Sequence, residues 1–233
     1  MSFTVEHTVI GEGGNFCKHH TVASETSLKS ILARLICLIS IMTAIVLNLK
    51  PFVELSDDQF YELCQNHRDL KFERNAQGEL LIVSPVGGEG GSREADLIGD
   101  LVFWNRRTQR GKVFSSSTCF KLPNGADRSP DAAWVAIERW NQLTLEQQKK
   151  FPPICPDFVI ELRSESDALE ALQQKMQEYI NNGLCLGWLI NPQDRQVEIY
   201  RATRLRQVLQ NPDQVDGGDV LPGFVFDVSI LWE

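Results

Sequence analysis

The chain has 233 residues, of which 42% are hydrophobic, 23% are charged and 9% are aromatic. These proportions are typical of a globular protein and exclude the disordered, collagen-like and coiled-coil classes. The net charge of -8 excludes an overall positive field, so any binding to DNA or anionic lipid has to use local basic patches. Six cysteines are scattered without a CxxC pair, which favours reduced core thiols and a cytoplasmic protein, although an even number is also compatible with disulfides.

The start of the chain differs in character from the rest. A polar, aperiodic stretch is followed by a mostly apolar segment at residues 28–49. Its charge-free part, residues 35–47, is shorter than the roughly twenty residues that a transmembrane helix needs, and no signal-peptide cleavage pattern follows it. We therefore expect residues 1–41 to be a poorly structured or non-native extension, with Met42 as a candidate true start, and residues 42–233 to form the domain. A membrane-tethered protein that uses residues 28–49 is a less favoured alternative.

Hydrophobic periodicity, capping signals and turn residues predict the elements of this domain. In chain order they predict a helix at 56–66, a hairpin of strands at 70–74 and 79–84, a helix at 92–109, and strands at 112–116 and 130–137. A short helix at 145–150, a strand at 157–163, a helix at 167–181 and strands at 184–190 and 195–201 follow. This order predicts one α/β domain with a mixed sheet flanked by helices, preceded by a β-hairpin.

Two of the predicted strands carry acidic residues on apolar faces. Alternation along 157–163 places Glu161 on the same face as Val159, in a strand that is apolar on both sides. Asp131 shares its face with Ala133 and Val135 at the start of another apolar strand. Both carboxylates are therefore expected to point towards the core.

Two further ionisable residues lie on core-facing surfaces of helices. Lys175 falls on the stripe that contains Leu172 and Tyr179, and Glu94 comes one turn before Leu97. Because burying a lone charge costs several kcal/mol, we expect these groups to converge around a shared cation or one another. Carboxylates without His or Cys are the ligands that Mg²⁺ or Mn²⁺ prefers.

Each of these residues also has an ordinary structural explanation. Glu161 could pair with Arg163 or Lys175. Asp131 could cap a local turn, and Glu94 could be an exposed acid stabilised by its helix dipole. Ionisable groups on several core faces are nevertheless uncommon, which favours a functional site.

The order of these motifs resembles the Uma-two family of restriction-endonuclease-like proteins. The resemblance is carried by Ser129-Pro130-Asp131, the segment Pro156 to Asp167, Lys175, Tyr179, Gly183 and the segment Gly187 to Pro192. It extends from about Pro51 to Trp232. Members are similar to the PD-(D/E)xK nucleases, so the resemblance implies a restriction-endonuclease-like fold and metal-dependent hydrolysis of DNA phosphodiester bonds.

The resemblance also assigns roles to individual residues. It implies that Asp131 and Glu161 are catalytic metal ligands, that Glu94 is an additional catalytic acid and ligand, and that Mg²⁺ or Mn²⁺ is the cofactor. The common nuclease pattern has a lysine two residues after the glutamate, where this chain has Arg163. The catalytic lysine is therefore implied to have moved to the helix, at Lys175.

The predicted partner is DNA, which needs local positive charge on the protein. The candidate DNA-binding residues are Arg106, Arg107, Arg110 and Lys112, with residues 201–206 as a further basic segment. We expect a homodimer, because two sites are the simplest way to cut both strands. The alternative function is a catalytically silent relative that binds nucleic acid or protein, with the acids kept as a structural network; the negative net charge supports it.

Overall fold

The computed structural model describes residues 44–50 and 52–232. The predicted extension at residues 1–41 and most of the apolar segment at 28–49 lie outside this part of the chain. In the part that is described, no helix combines the length and the apolar character required to cross a bilayer.

Helices and strands alternate through the described residues and confirm the mixed α/β class. The helices are α1 (Asp57–Asn66), α2 (Gly88–Thr108), α3 (Ile137–Trp140), α4 (Leu145–Lys149) and α5 (Leu169–Asn181), with a 3-10 helix at Val228–Trp232. The strands are β1 (Ala44–Leu47), β2 (Lys71–Arg74), β3 (Leu80–Val83), β4 (Gly111–Ser115), β5 (Phe120–Lys121), β6 (Asp127–Arg128), β7 (Ala132–Ala136), β8 (Phe158–Leu162), β9 (Leu186–Asn191), β10 (Gln196–Arg201), β11 (Arg204–Gln210), β12 (Gln214–Asp216) and β13 (Val225–Asp227).

The larger sheet has six strands in the order β11-β10-β9-β8-β7-β4 and lies between two helices. β8 and β9 run parallel because α5 forms the crossover between them, and the other neighbours are antiparallel. Phe158 and Ile160 of β8 pack in the cluster that contains Leu97 of α2, whereas Val159 packs in the cluster that contains Met176 of α5. Glu161 therefore belongs to the face that α5 covers.

A glycine allows α5 to lie close to this sheet. A Cβ atom added at Gly187 of β9 would overlap the end of the Met176 side chain and lie 2.9 Å from the Leu184 side chain, so a larger residue would force these side chains to shift. The helix stops two residues before Gly183, whose φ of 102° is left-handed. The Met176 side chain of α5 therefore packs directly over the backbone of β9.

The smaller sheet has the order β1-β3-β2-β6-β5 and contains the predicted hairpin. β2 and β3 pair in antiparallel fashion, and the Asn75 side chain accepts a hydrogen bond from the Glu79 amide across the turn. Phe72 of β2 packs with Phe60 of α1 on one face. Alternation therefore turns Glu73 to the opposite face of the hairpin.

Several element boundaries differ from the prediction. The capping box at Ser56 is formed as predicted, but α2 begins at Gly88 instead of residue 92. Glycine is unfavourable in a helix by about 1 kcal/mol, yet the packing of a long helix outweighs this cost in its first turn. The strand predicted at 130–137 ends at Ala136, where α3 begins. β5, β6, β12 and β13 were not predicted, because two or three residues are too few to show a period.

Candidate active site

Adjacent strands bring two of the predicted acids together. β7 and β8 pair with Ala132 opposite Ile160, which places Asp131 and Glu161 side by side at the next position. The Asp131 carboxylate accepts a hydrogen bond from the Leu162 amide over 2.7 Å. Glu161 is only 3% exposed. Its charge therefore needs partners inside the protein.

Lys175 reaches this pair of acids from α5. Its Nζ atom lies 3.0 Å from Glu161 Oε1 and 3.0 Å from Glu73 Oε1. Its side chain is 15% exposed, so the amine points into the protein and not to solvent. We refer to Glu73, Asp131, Glu161 and Lys175 as the acid–lysine cluster.

Glu73 was not predicted as a site residue, and it comes from β2 of the smaller sheet. It is 3% exposed and accepts hydrogen bonds from the Ser129 amide over 3.0 Å and from Arg128 over 3.1 Å, in addition to Lys175. Burial opposes ionisation, but the charges of Lys175 and Arg128 outweigh it and lower the pKa of Glu73 to about 2. Glu73 is therefore an ionised partner of the lysine at any pH near neutrality.

In contrast to Glu73, the two acids at the larger sheet, Asp131 and Glu161, have raised pKa values. Burial raises the pKa of Glu161 to about 7, because Lys175 only partly offsets desolvation and the charges of Asp131 and Glu73 oppose ionisation. Desolvation also raises the pKa of Asp131, and the charge of Glu94 adds to this effect. A bound cation would favour the ionised forms of both carboxylates.

The lysine of the cluster is held in its charged form. Burial opposes the ammonium form, but Glu161 and Glu73 outweigh it and raise the pKa of Lys175. At neutral pH the group is therefore a fixed positive charge.

Polar contacts also hold the helix that carries Lys175. Arg128 donates to Glu178 over 2.6 Å, which ties α5 to the smaller sheet. On the other side, Gln173 donates to the buried Glu198 of β10 over 2.7 Å. These contacts were not predicted, and together they restrict the position of the Lys175 backbone.

Glu94 and Arg163 do not belong to the acid–lysine cluster. Glu94 is half-buried in the second turn of α2, which covers the other face of the sheet. Its charge acts on Asp131, but no hydrogen bond among residues 44–50 and 52–232 joins it to Asp131 or Glu161. Arg163 instead donates to the side chain of Asp194 and turns away from the acids. Of the two pairings considered for Glu161, the structure therefore contains the one with Lys175.

The predicted basic patch lies at the far end of β7 from Asp131. Lys112 of β4 pairs with Val135, near the end of β7, whereas Asp131 precedes its first residue. Asp131 and Val135 are four residues apart, which is about 13 Å along the strand at about 3.3 Å per residue. The other residues of the patch, which are exposed and precede β4, are Arg106, Arg107 and Arg110. DNA contact at this patch would involve phosphates remote from the acid–lysine cluster.

The donor set of the cluster fits a hard divalent cation. Among the described residues, no three Asp, Glu, His or Cys side chains form a ready-made metal site, so the predicted three-acid arrangement with Glu94 is not assembled. Mg²⁺ is nevertheless usually held by one or two carboxylates, with other positions left to water and substrate phosphates. Asp131, which directly precedes β7, and Glu161 of the neighbouring β8 provide such a pair. These two carboxylates therefore fit an ion that takes its remaining ligands from water and substrate.

Comparison with family models gives a match to Uma2, described as "Putative restriction endonuclease", over residues 57–229. The chain belongs to the Uma2 family. The matched range includes all four residues of the acid–lysine cluster and confirms the resemblance in the sequence motifs. Uma2 membership supports a nuclease function in general terms.

A solved structure shows the same fold. It is described as a putative nuclease belonging to DUF820 from Anabaena variabilis ATCC 29413, and it matches with a TM-score of 0.64 and 17% identity. The alignment covers 76% of this Uma2 chain and 97% of that chain. Comparison with curated protein sequences gives no match.

Proposed function

We propose that this Uma2 protein is a divalent-metal-dependent DNA endonuclease. The observation that carries the proposal is the position of Lys175 Nζ, 3.0 Å from Glu161 in a nuclease-type fold. Asp131 and Glu161 would hold Mg²⁺ or Mn²⁺, and Glu94 would act as an outer acid near Asp131.

The proposed chemistry assigns a different task to each side chain. A bound cation would supply Lewis acidity and lower the pKa of a coordinated water. Asp131, directly before β7, and Glu161, in β8, would orient the reacting groups. Lys175 cannot act as a base while it is protonated, so it stabilises negative charge that develops on the phosphate. Arg163 has no part in this scheme, because it is turned away.

A plasmid-nicking assay tests the proposal. The purified protein should nick supercoiled plasmid with Mg²⁺ or Mn²⁺ and fail to do so with EDTA. Asp131→Ala, Glu161→Gln and Lys175→Ala should each abolish nicking, whereas Lys149→Ala, at the exposed end of α4, should retain it. Thermal melts of each variant separate loss of chemistry from loss of folding. Equal nicking by the wild type and Glu161→Gln would point to a contaminating nuclease and refute the proposal.

A catalytically silent binding module is the second candidate. It is favoured by the closed pairing of Lys175 with two carboxylates and by the net charge of -8. DNA binding without nicking in any divalent metal would establish it.

We also propose a cytoplasmic homodimer. The cysteines of the described residues, Cys64, Cys119, Cys155 and Cys185, are free, which suits a reducing compartment. Two copies would provide one site for each DNA strand. Light scattering of the purified protein at micromolar concentration tests this, and a monomer mass would contradict it.

A further inference from the structure

β2 presents one polar face to the acid–lysine cluster. Phe72 packs in the apolar cluster of the smaller sheet, and Arg74, on the same side, forms an ion pair there. Alternation therefore places Lys71 and Glu73 together on the opposite face. Because Glu73 bonds to Lys175, Lys71 is directed to the same side of the hairpin.

Lys71 differs from the other cations of this region. Arg128 and Lys175 each bond to two carboxylates. Lys71 is half-buried, and within residues 44–50 and 52–232 its ammonium has no carboxylate at ion-pair distance. It is nevertheless close enough for its charge to favour the ionised forms of Asp131 and Glu73. The region thus contains a positive charge that the protein itself does not neutralise by direct contact.

An ammonium in this position suits a phosphate ligand. Lysine binds phosphate as a point charge on a flexible stem, and contacts to phosphates supply most of the affinity and orientation of protein–DNA complexes. The acids nearby would repel DNA unless positive charge compensated them. The patch around Lys112 compensates the acids less directly, since it lies at the other end of β7.

We propose that Lys71 forms a phosphate-binding subsite that holds the DNA backbone beside the acid–lysine cluster. This inference rests on the proposed endonuclease function and adds a substrate-binding role for the N-terminal hairpin. Lys71 binds a phosphate next to the one at the acids, and the hairpin thereby forms one wall of the DNA path.

Binding of a fluorescein-labelled DNA duplex, measured by anisotropy with Ca²⁺ as the divalent ion, tests the inference. Lys71→Gln should weaken binding roughly five- to tenfold at 0.1 M salt and reduce the slope of log K against log salt by about 0.9. Lys71→Arg should keep the wild-type slope. The matched control Lys149→Gln, an exposed lysine on α4, should change neither quantity.

The outcomes separate this inference from the proposed function. Wild-type affinity and slope in Lys71→Gln, together with Mg²⁺-dependent nicking by the wild type, would overturn the Lys71 subsite and leave the endonuclease proposal standing. Weaker binding with an unchanged salt slope would also overturn it, because it would indicate a structural defect and not a lost phosphate contact. A wild type that neither binds nor nicks DNA would refute both.

Discussion

Tyr179 donates its phenolic hydroxyl to Glu161 Oε1 over 3.0 Å, and both residues are buried. Tyr179 lies one helical turn after Lys175, which contacts the same carboxylate. One helix therefore supplies two of the groups that hold Glu161. The orientation of this acid depends on the exact placement of α5 against the sheet.

Tyr179→Phe tests this dependence, because it removes the hydroxyl and keeps the ring. A hydrogen bond to a charged group contributes about 1.5–3 kcal/mol, so we expect the free energy of unfolding in urea at pH 8 to fall by that amount. The nicking rate should fall as well, since Glu161 loses a positioning contact. Tyr61→Phe, whose ring packs edge-on against Phe151, is the control and should stay within about 0.5 kcal/mol of the wild type. Equal stability of Tyr179→Phe and the wild type would contradict the role of this bond.

Glu73 is expected to position Lys175 from the other sheet. Glu73→Gln keeps the side-chain size but removes one of the two carboxylates that Lys175 and Arg128 each contact. We expect kcat for nicking to fall roughly tenfold or more, with KM within about twofold, because a transition-state contact is misplaced while substrate binding is retained. Glu62→Gln, exposed on α1, is the matched control. A rise in KM at constant kcat would show that Glu73 acts on binding instead.

The lowered pKa of Glu73 predicts that the protein loses stability in acid. The pKa of Glu73 is lowered from 4.5 to about 2, so between these pH values the folded protein binds fewer protons than the unfolded chain. The resulting stabilisation is complete at pH values above the pKa of Glu73 in the unfolded chain. It disappears as the pH falls through the pKa of Glu73 in the folded protein. Between pH 5 and pH 2, wild type should lose up to about 3 kcal/mol more than Glu73→Gln in urea unfolding. Parallel pH curves for the two proteins would contradict the prediction.

Local patterns were enough to find three residues of the cluster. Asp131 and Glu161 interrupt the alternation of apolar strands, and Lys175 interrupts an apolar helical stripe. Each signal is contained in a few consecutive residues, so it can be recognised without knowledge of the tertiary structure. The crossover through α5 was predictable from local patterns too, because a strand, a helix and a second strand follow one another along the chain.

Glu73 could not be found in this way. Its strand, Lys71–Arg74, carries charge at three of four positions, so no apolar pattern makes one acid stand out. Its partner Lys175 is far along the chain and is reached only because the smaller sheet packs beside α5. The location of the basic patch could not be predicted either, because it depends on which strands are neighbours. β4 pairs with β7, and this pairing places Lys112 far from Asp131.

Glu161 predicts that Mg²⁺ stabilises the protein more as the pH rises. Burial raises its pKa from 4.5 to about 7, so between these values the folded state binds more protons than the unfolded chain. Without metal, this residue therefore lowers stability as the pH increases, by up to about 3 kcal/mol. Protons compete with a cation for the carboxylate, so Mg²⁺ should raise Tm clearly at pH 8 and little at pH 5.

The Glu161→Gln variant should lose both effects, because the amide does not titrate and is a weaker ligand for Mg²⁺. Its metal-free Tm should vary less than that of the wild type between pH 4.5 and pH 7, and Mg²⁺ should not raise it at pH 8. Glu138→Gln, at an exposed position of α3, is the matched control and should behave as the wild type does. A Mg²⁺-induced shift of equal size in the wild type and Glu161→Gln would mean that the ion binds elsewhere, and the metal site assigned to Asp131 and Glu161 would then be wrong.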